Sequence, residues 1–228
     1  MTFVCSYSAV DAVLISADSL KGWTDGRTPE TADKVFPLGH HALALSGSYW
    51  VAEYLKDKIV SRASELPGDV FNAAHMIARW ANHAFQERYG MSAFQSGDPY
   101  YSVDFGVYGW GDERGIRTNA QFELRSGKGF EARRHTKGVF ALGTPQCEKA
   151  IADLILQGRC DLDQTSVAQV LYYTVARTIR RAPCKVGPPI QTFALRDCCQ
   201  LQKVAIENSE AVISAYDNWF THGLRAAP

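Results

Sequence analysis

The chain has 228 residues, 46% of them hydrophobic and 11% aromatic, which is enough to bury a large core within a single domain spanning 1–228. Lysine plus arginine (24) equals aspartate plus glutamate (24), so no basic excess points to nucleic acid or to an anionic membrane surface as a partner. No apolar run approaches the roughly 18 to 20 residues that span a bilayer, and no basic start leads into an apolar stretch at the N-terminus, so neither anchor nor secretion signal is expected and the cytosol is the expected compartment.

The first two strands are expected in "TFVCSYSA" and "AVLISAD", runs of β-formers joined by a tight hairpin at Asp11. "DKVFPLG" and "HALALSGS" read as a second pair around "GHH". After Ser48 the period changes: "YWVAEYLKDKIVSRASE" has the apolar recurrence of a helix, Pro67-Gly68 breaks it, and "DVFNAAHMIARWANHAFQERYG" resumes it up to a glycine stop. Residues 91–100, with Ser96, Gly97, Asp98 and Pro99, read as a loop.

Three strands follow in "YSVDFGVYGW", "GIRTNAQFELRS" and "GVFALGT", with a further short one expected around Phe130. "PQCEKAIADLILQG" reads as a helix from Pro145 to Gly158. The next helix is expected to start at a capping box, Ser166 with Gln169 three residues on, and to run through "VAQVLYYTVARTIRRA". "PIQTFALR" and "QLQKVAIE" supply the last strands.

Strands, two helices, strands, two helices, strands is an order without regular β-α alternation, which argues against a doubly wound parallel sheet. The expected fold is α+β, a four-layer αββα sandwich in which two antiparallel sheets pack face to face and helix pairs cover the outside.

Cysteine and histidine carry little chemistry here. The six cysteines, Cys5, Cys147, Cys160, Cys184, Cys198 and Cys199, form no C-x-x-C pair, and free thiols in a reducing compartment are the simplest reading. His40-His41 sit outside any H-E-x-x-H helix, so no metal and no cofactor is expected. "GVYGWGDERG" lies between two β-rich runs and reads as a hairpin turn rather than a phosphate loop; "SGSYW" lacks the outer glycines of a G-x-S-x-G elbow.

Three short stretches fit one another. Thr2 precedes the first strand, Asp18 ends the second in "ISADS", and Lys34 opens the third in "DKVFPLG", at equal intervals of sixteen residues. With this trio the sequence resembles the β-type subunits of the proteasome and their bacterial relatives, the HslV and Anbu peptidases, which are threonine-type N-terminal-nucleophile hydrolases. The resemblance is strongest from Thr2 to Ser48, weaker around "FALGTP" and "KVGPPIQTFAL", and extends in element order over most of the chain.

By that resemblance Thr2 is the nucleophile once Met1 is removed, and Asp18 and Lys34 correspond to the family's acid and lysine. An α-amine with pKa about 7.7 to 8 is far better placed to take the hydroxyl proton than a free lysine near 10.4. Lys34 acts by its charge beside the hydroxyl or by joining the proton relay; which group is the base stays open. "ALSGSYW" looks like the family's strand-to-helix turn, which makes the Gly47 N–H the candidate oxyanion donor. Thr144, after Gly143, stands where many relatives carry a serine, while Ala182 and Lys185 stand where an Asp-x-x-Ser pair steadies the terminal amine in relatives.

The resemblance also implies a substrate pocket formed by Ala32, Phe36 and Leu45, apolar in character. It implies a peptide or unfolded-protein substrate, homo-oligomeric stacked rings and a candidate ATP-dependent unfoldase as feeder. Two alternatives keep the fold: an amidohydrolase acting on a small amide, and a catalytically weak scaffold that forms rings. An α-type proteasome subunit carries an extra helix before its first strand, and the β-type reading fits this sequence better.

Overall fold

Strand-forming residues at the two ends of the chain assemble one sheet, and those in the middle assemble a second. The computed structural model describes residues 3–21, 30–143, 149, 150, 152, 153, 156, 163–182, 187–198 and 200–206. The first sheet contains β1 (Val4–Ser8), β2 (Ala12–Ala17), β10 (Phe140–Leu142), β11 (Gln191–Arg196) and β12 (Gln202–Lys203), in the order β10-β1-β2-β11-β12. The second contains β5 (Val35–Leu38), β6 (His41–Gly47), β7 (Val103–Glu113), β8 (Ile116–Arg125) and β9 (Arg133–His135), in chain order. Every pairing is antiparallel, and a two-stranded ribbon of β3 (Leu20–Lys21) and β4 (Glu30–Thr31) stands apart from both sheets.

Both faces of the first sheet are covered, which explains why all six residues of β2, AVLISA, are buried and why even Ser6 of β1 is fully buried. Val4, Val13, Ile15 and Ala17 face inward and meet Val35, Ala42, Ala44 and Tyr108 of the second sheet. Phe3, Cys5, Ala12 and Leu14 face outward, onto Val167, Leu171 and Val175 of α4 (Gln164–Arg181) and onto Ala152 and Leu156. On the far side, Leu43, Leu45, Phe105 and Val107 pack under α1 (Tyr49–Val60) and α2 (Val70–Tyr89) through Val51, Leu55, Ile77 and Ala81. The result is the four-layer αββα sandwich.

The local signals at the helix ends are partly those expected. Asp69 caps α2 by accepting from the Asn72 N–H at 3.0 Å, an interaction worth about 1 kcal/mol. The capping box at Ser166 is not the start of α4. Asp163 is the cap, its carboxylate accepting from the Ser166 N–H at 2.7 Å, so the helix begins three residues earlier, at Gln164. An ionised acid at the cap outcompetes a serine three residues on, because it also complements the helix dipole.

Two further expectations are corrected. Residues 91–100 contain the short helix α3 (Met91–Gln95) and the start of a 3-10 turn (Pro99–Tyr101), stabilised by the packing of Phe94 on Phe85 and Phe130. The short strand expected around Phe130 lies at Arg133–His135 instead. Phe130 itself is fully buried in a turn at φ 58, because its ring is worth more inside the aromatic cluster of Phe85, Phe94 and Phe105 than the turn strain costs. The helix expected at 145–158 falls mostly outside the described residues; those described within it (149, 150, 152, 153 and 156) are helical.

Candidate active site

Asp18 follows the last residue of β2 and is fully buried. One oxygen, Oδ1, accepts from the Phe3 backbone N–H at 2.8 Å; Oδ2 accepts from the N–H groups of Leu20 at 3.1 Å and Gly187 at 3.3 Å. The Asp18 N–H in turn donates to the Phe3 carbonyl at 3.1 Å. The carboxylate therefore ties three separate segments together, one of them the residue that follows Thr2. Burial pushes its pKa up, and this is opposed by the Phe3 N–H, the Lys34 charge and the other two N–H donors.

Lys34 immediately precedes β5 and is 5% exposed. Its carbonyl accepts from the Leu45 N–H at 3.0 Å, which locks its backbone beside β6. Among the described residues its ammonium closes no ion pair; burial draws its pKa down, and the charges of Asp18 and Glu53 resist that shift while Lys21 adds to it. A buried, unpaired ammonium of lowered pKa is suited to stabilising a nearby alkoxide or to exchanging a proton with it.

Two residues beyond Leu45, β6 ends at Gly47. Its φ is 107, and a Cβ there would stand 2.2 Å from the Ser102 carbonyl oxygen, so only glycine fits. The same carbonyl accepts from the Ser48 N–H at 2.8 Å, and α1 starts at the next residue. The chain thus turns from strand to helix with Gly47 exposed at the corner.

The structure brings Asp18, Lys34 and Gly47 to one end of the sandwich, linked by the Asp18–Lys34 field and the Lys34–Leu45 backbone bond. Thr2 and Thr144 lie outside the described residues. Ala32 is half-buried, its N–H donating to the Ser19 carbonyl at 2.9 Å. Phe36 is half-buried against the core beneath α1, and Leu45 belongs to that core at 3% exposure. Sequence reasoning missed the charged groups around Lys34. Lys21 pairs with Glu30 at 3.0 Å and stacks 4.0 Å from the Tyr49 ring centroid, while Glu53 and Lys56 face Lys34 and Phe36 from α1. The i, i+3 spacing of Glu53 and Lys56 announced their pairing, but nothing in the sequence announced its proximity to Lys34.

No group of three or more His, Cys, Asp or Glu side chains among the described residues could hold a metal ion, and no described helix is long and apolar enough to cross a membrane.

Two antiparallel sheets face to face with helices outside make the αββα fold of the N-terminal-nucleophile hydrolases. Among solved structures, the chain is similar to Anbu (ancestral beta-subunit) from Yersinia bercovieri, with TM-score 0.73 and 12% identity over 99% of this chain and 97% of that one. It is similar also to Anbu from Hyphomicrobium sp. strain MC1, with TM-score 0.68 and 16% identity over 99% and 98% of the two chains. A Gly-1 mutant of Anbu from the same strain gives TM-score 0.70 at 16% identity, over 100% and 98%. At such identities the likeness is one of fold. No family model matches the sequence, and no curated protein matches it.

Proposed function

We propose that the chain is a proteasome-like threonine peptidase, a cytosolic N-terminal-nucleophile hydrolase that assembles into homo-oligomeric rings and cleaves unfolded peptides inside them. Thr2, freed by removal of Met1, is the nucleophile. The observation that carries the reading is the Asp18 carboxylate, fully buried and bonded to the Phe3 N–H, the backbone group next to Thr2, within the field of the Lys34 ammonium.

The residues divide the work as follows. The α-amine of Thr2, a group whose reference pKa is about 7.7 to 8, accepts the hydroxyl proton and later returns it to the leaving amine. Asp18 holds the first strand and its charge favours the ammonium form of the amine. Lys34 lowers the energy of the alkoxide by its charge, and the Gly47 N–H donates to the oxyanion of the tetrahedral intermediate. Ala182 and Lys185, where relatives carry an acid and a serine, leave the amine with less support, so a low rate is part of the reading.

Hydrolysis of fluorogenic, unstructured peptides by the purified protein tests it, with native mass spectrometry for the ring. Activity that Thr2→Ala removes supports the peptidase. Hydrolysis of small amides alone would move the substrate class and keep the nucleophile, and a ring inert toward both would leave a scaffold.

A further inference from the structure

Lys34 and Phe36 lie two residues apart at the start of the same strand and share the side of the sheet that faces α1. If a carbonyl is attacked between Lys34 and Gly47, the substrate side chain beside it must enter the space between this strand and α1. Over Phe36, that space holds a lysine. The Lys56 ammonium sits 4.9 Å from the Phe36 ring centroid and is held by Glu53 at 2.7 Å and Asp57 at 3.1 Å. Its side chain is only 15% exposed, and that of Glu53 25%. Glu53 also lies within electrostatic reach of Lys34, so it bridges the catalytic cation and the filled recess.

Building on the proposed hydrolase reading, we infer that Lys56, clamped by Glu53 and Asp57 over Phe36, closes the recess beside Lys34 and restricts the site to short, uncharged substrate side chains. The stem of Lys56 takes the volume that a leucine or phenylalanine would need, and the apolar lining of Phe36 serves the lysine rather than the substrate. A basic substrate side chain would have to displace Lys56 from Glu53, and an acidic one would have to compete with Glu53 and Asp57 for Lys56. Each exchange would replace the Lys56–Glu53 pair, whose side chains are 15% and 25% exposed, with one made on binding, while Asp57, at 72% exposure, holds Lys56 from the solvent side.

Three peptide epoxyketones that differ only in the residue bearing the warhead, alanine, leucine or arginine, test the inference by the rate at which intact mass increases. The wild-type chain is expected to react with the alanine probe on the order of tenfold faster than with the other two, as befits a pocket short of several methylenes. In Lys56→Ala the alanine-to-leucine ratio should fall toward unity. Lys56→Met, which keeps most of the stem without the charge, should keep leucine disfavoured and admit no arginine. A wild-type chain that reacts as fast with leucine as with alanine overturns the inference without reference to any variant. So does an unchanged ratio in a Lys56→Ala chain that melts cooperatively. Failure of every probe on the wild-type chain is a different result, since it removes the hydrolase reading and the inference with it.

Discussion

Asp18 and Lys34 carry opposite charges, are both buried, and are held in contrasting ways. Asp18 accepts from three backbone N–H groups drawn from three segments, so its position is over-determined. Among the described residues Lys34 is held through its backbone, and its ammonium closes no ion pair there. The contrast separates two jobs. A carboxylate saturated with backbone donors is a brace that sets where the first strand begins. A buried ammonium that closes no ion pair among the described residues is costly to the fold unless a further group meets it.

That difference predicts different responses to mutation. Thr2→Ala should lower peptide hydrolysis the most, on the order of 10⁴-fold or more, because removing a nucleophile abolishes the covalent route. Lys34→Met should follow, with turnover lower by about 10² to 10⁴ and a melting temperature equal to or above that of the wild type, since a buried unpaired charge is removed. If Lys34→Met instead lowers the melting temperature by several degrees, Lys34 is a brace like Asp18 and the contrast fails.

Asp18→Ala should act mainly on stability. It strands the Phe3, Leu20 and Gly187 N–H groups, and losing their shared acceptor should cost about 3 kcal/mol in urea unfolding. Gly47→Ala, which forces a side chain into the Ser102 carbonyl at φ 107, should cost about 2 kcal/mol by the same measurement.

The smallest effect sharpens the comparison with a third, half-buried charge. Asp104, on the inner face of β7 opposite Ser46 and Arg125, has its carboxyl pushed up to about 6 by burial, against the pull of Arg125. Its folded pKa lies above the unfolded value near 3.9, so the native state binds more protons in that window and stability falls as pH rises from about 4 through 6. Asp104→Asn should therefore stabilise the protein at pH 7.5, by about 2 kcal/mol at most, and lose that advantage at pH 4. A gain that is the same at both pH values would mean that packing, not charge, is responsible.

The sequence was informative where one signal dominated. The runs of β-formers in β1 and β2, the change of period after Ser48 and the glycine stop at Gly90 placed the first strand pair and the first helix pair correctly. The family resemblance paired Asp18 with Lys34, and the structure sets the two within electrostatic reach of each other. Signals in competition were misread. Ser166 looked like a cap because Asp163 was not weighed against it, and Phe130 looked like a strand residue because its aromatic partners come from distant elements. The Glu53–Lys56 clamp was out of reach, since it depends on how α1 is laid across β5. Asp104 was not, because a lone acid alternating with Gly106 and Tyr108 in "VDFGVYG" already marks a charge on a buried face.

Intact-mass spectrometry of the purified chain, before and after exposure to a peptide epoxyketone, tests the central claim most directly. This electrophile closes a ring with both the hydroxyl and the free amine of an N-terminal threonine. The account predicts a mass lacking Met1 and a single adduct that is absent in Thr2→Ala. A chain that retains Met1 and takes up no probe would contradict it.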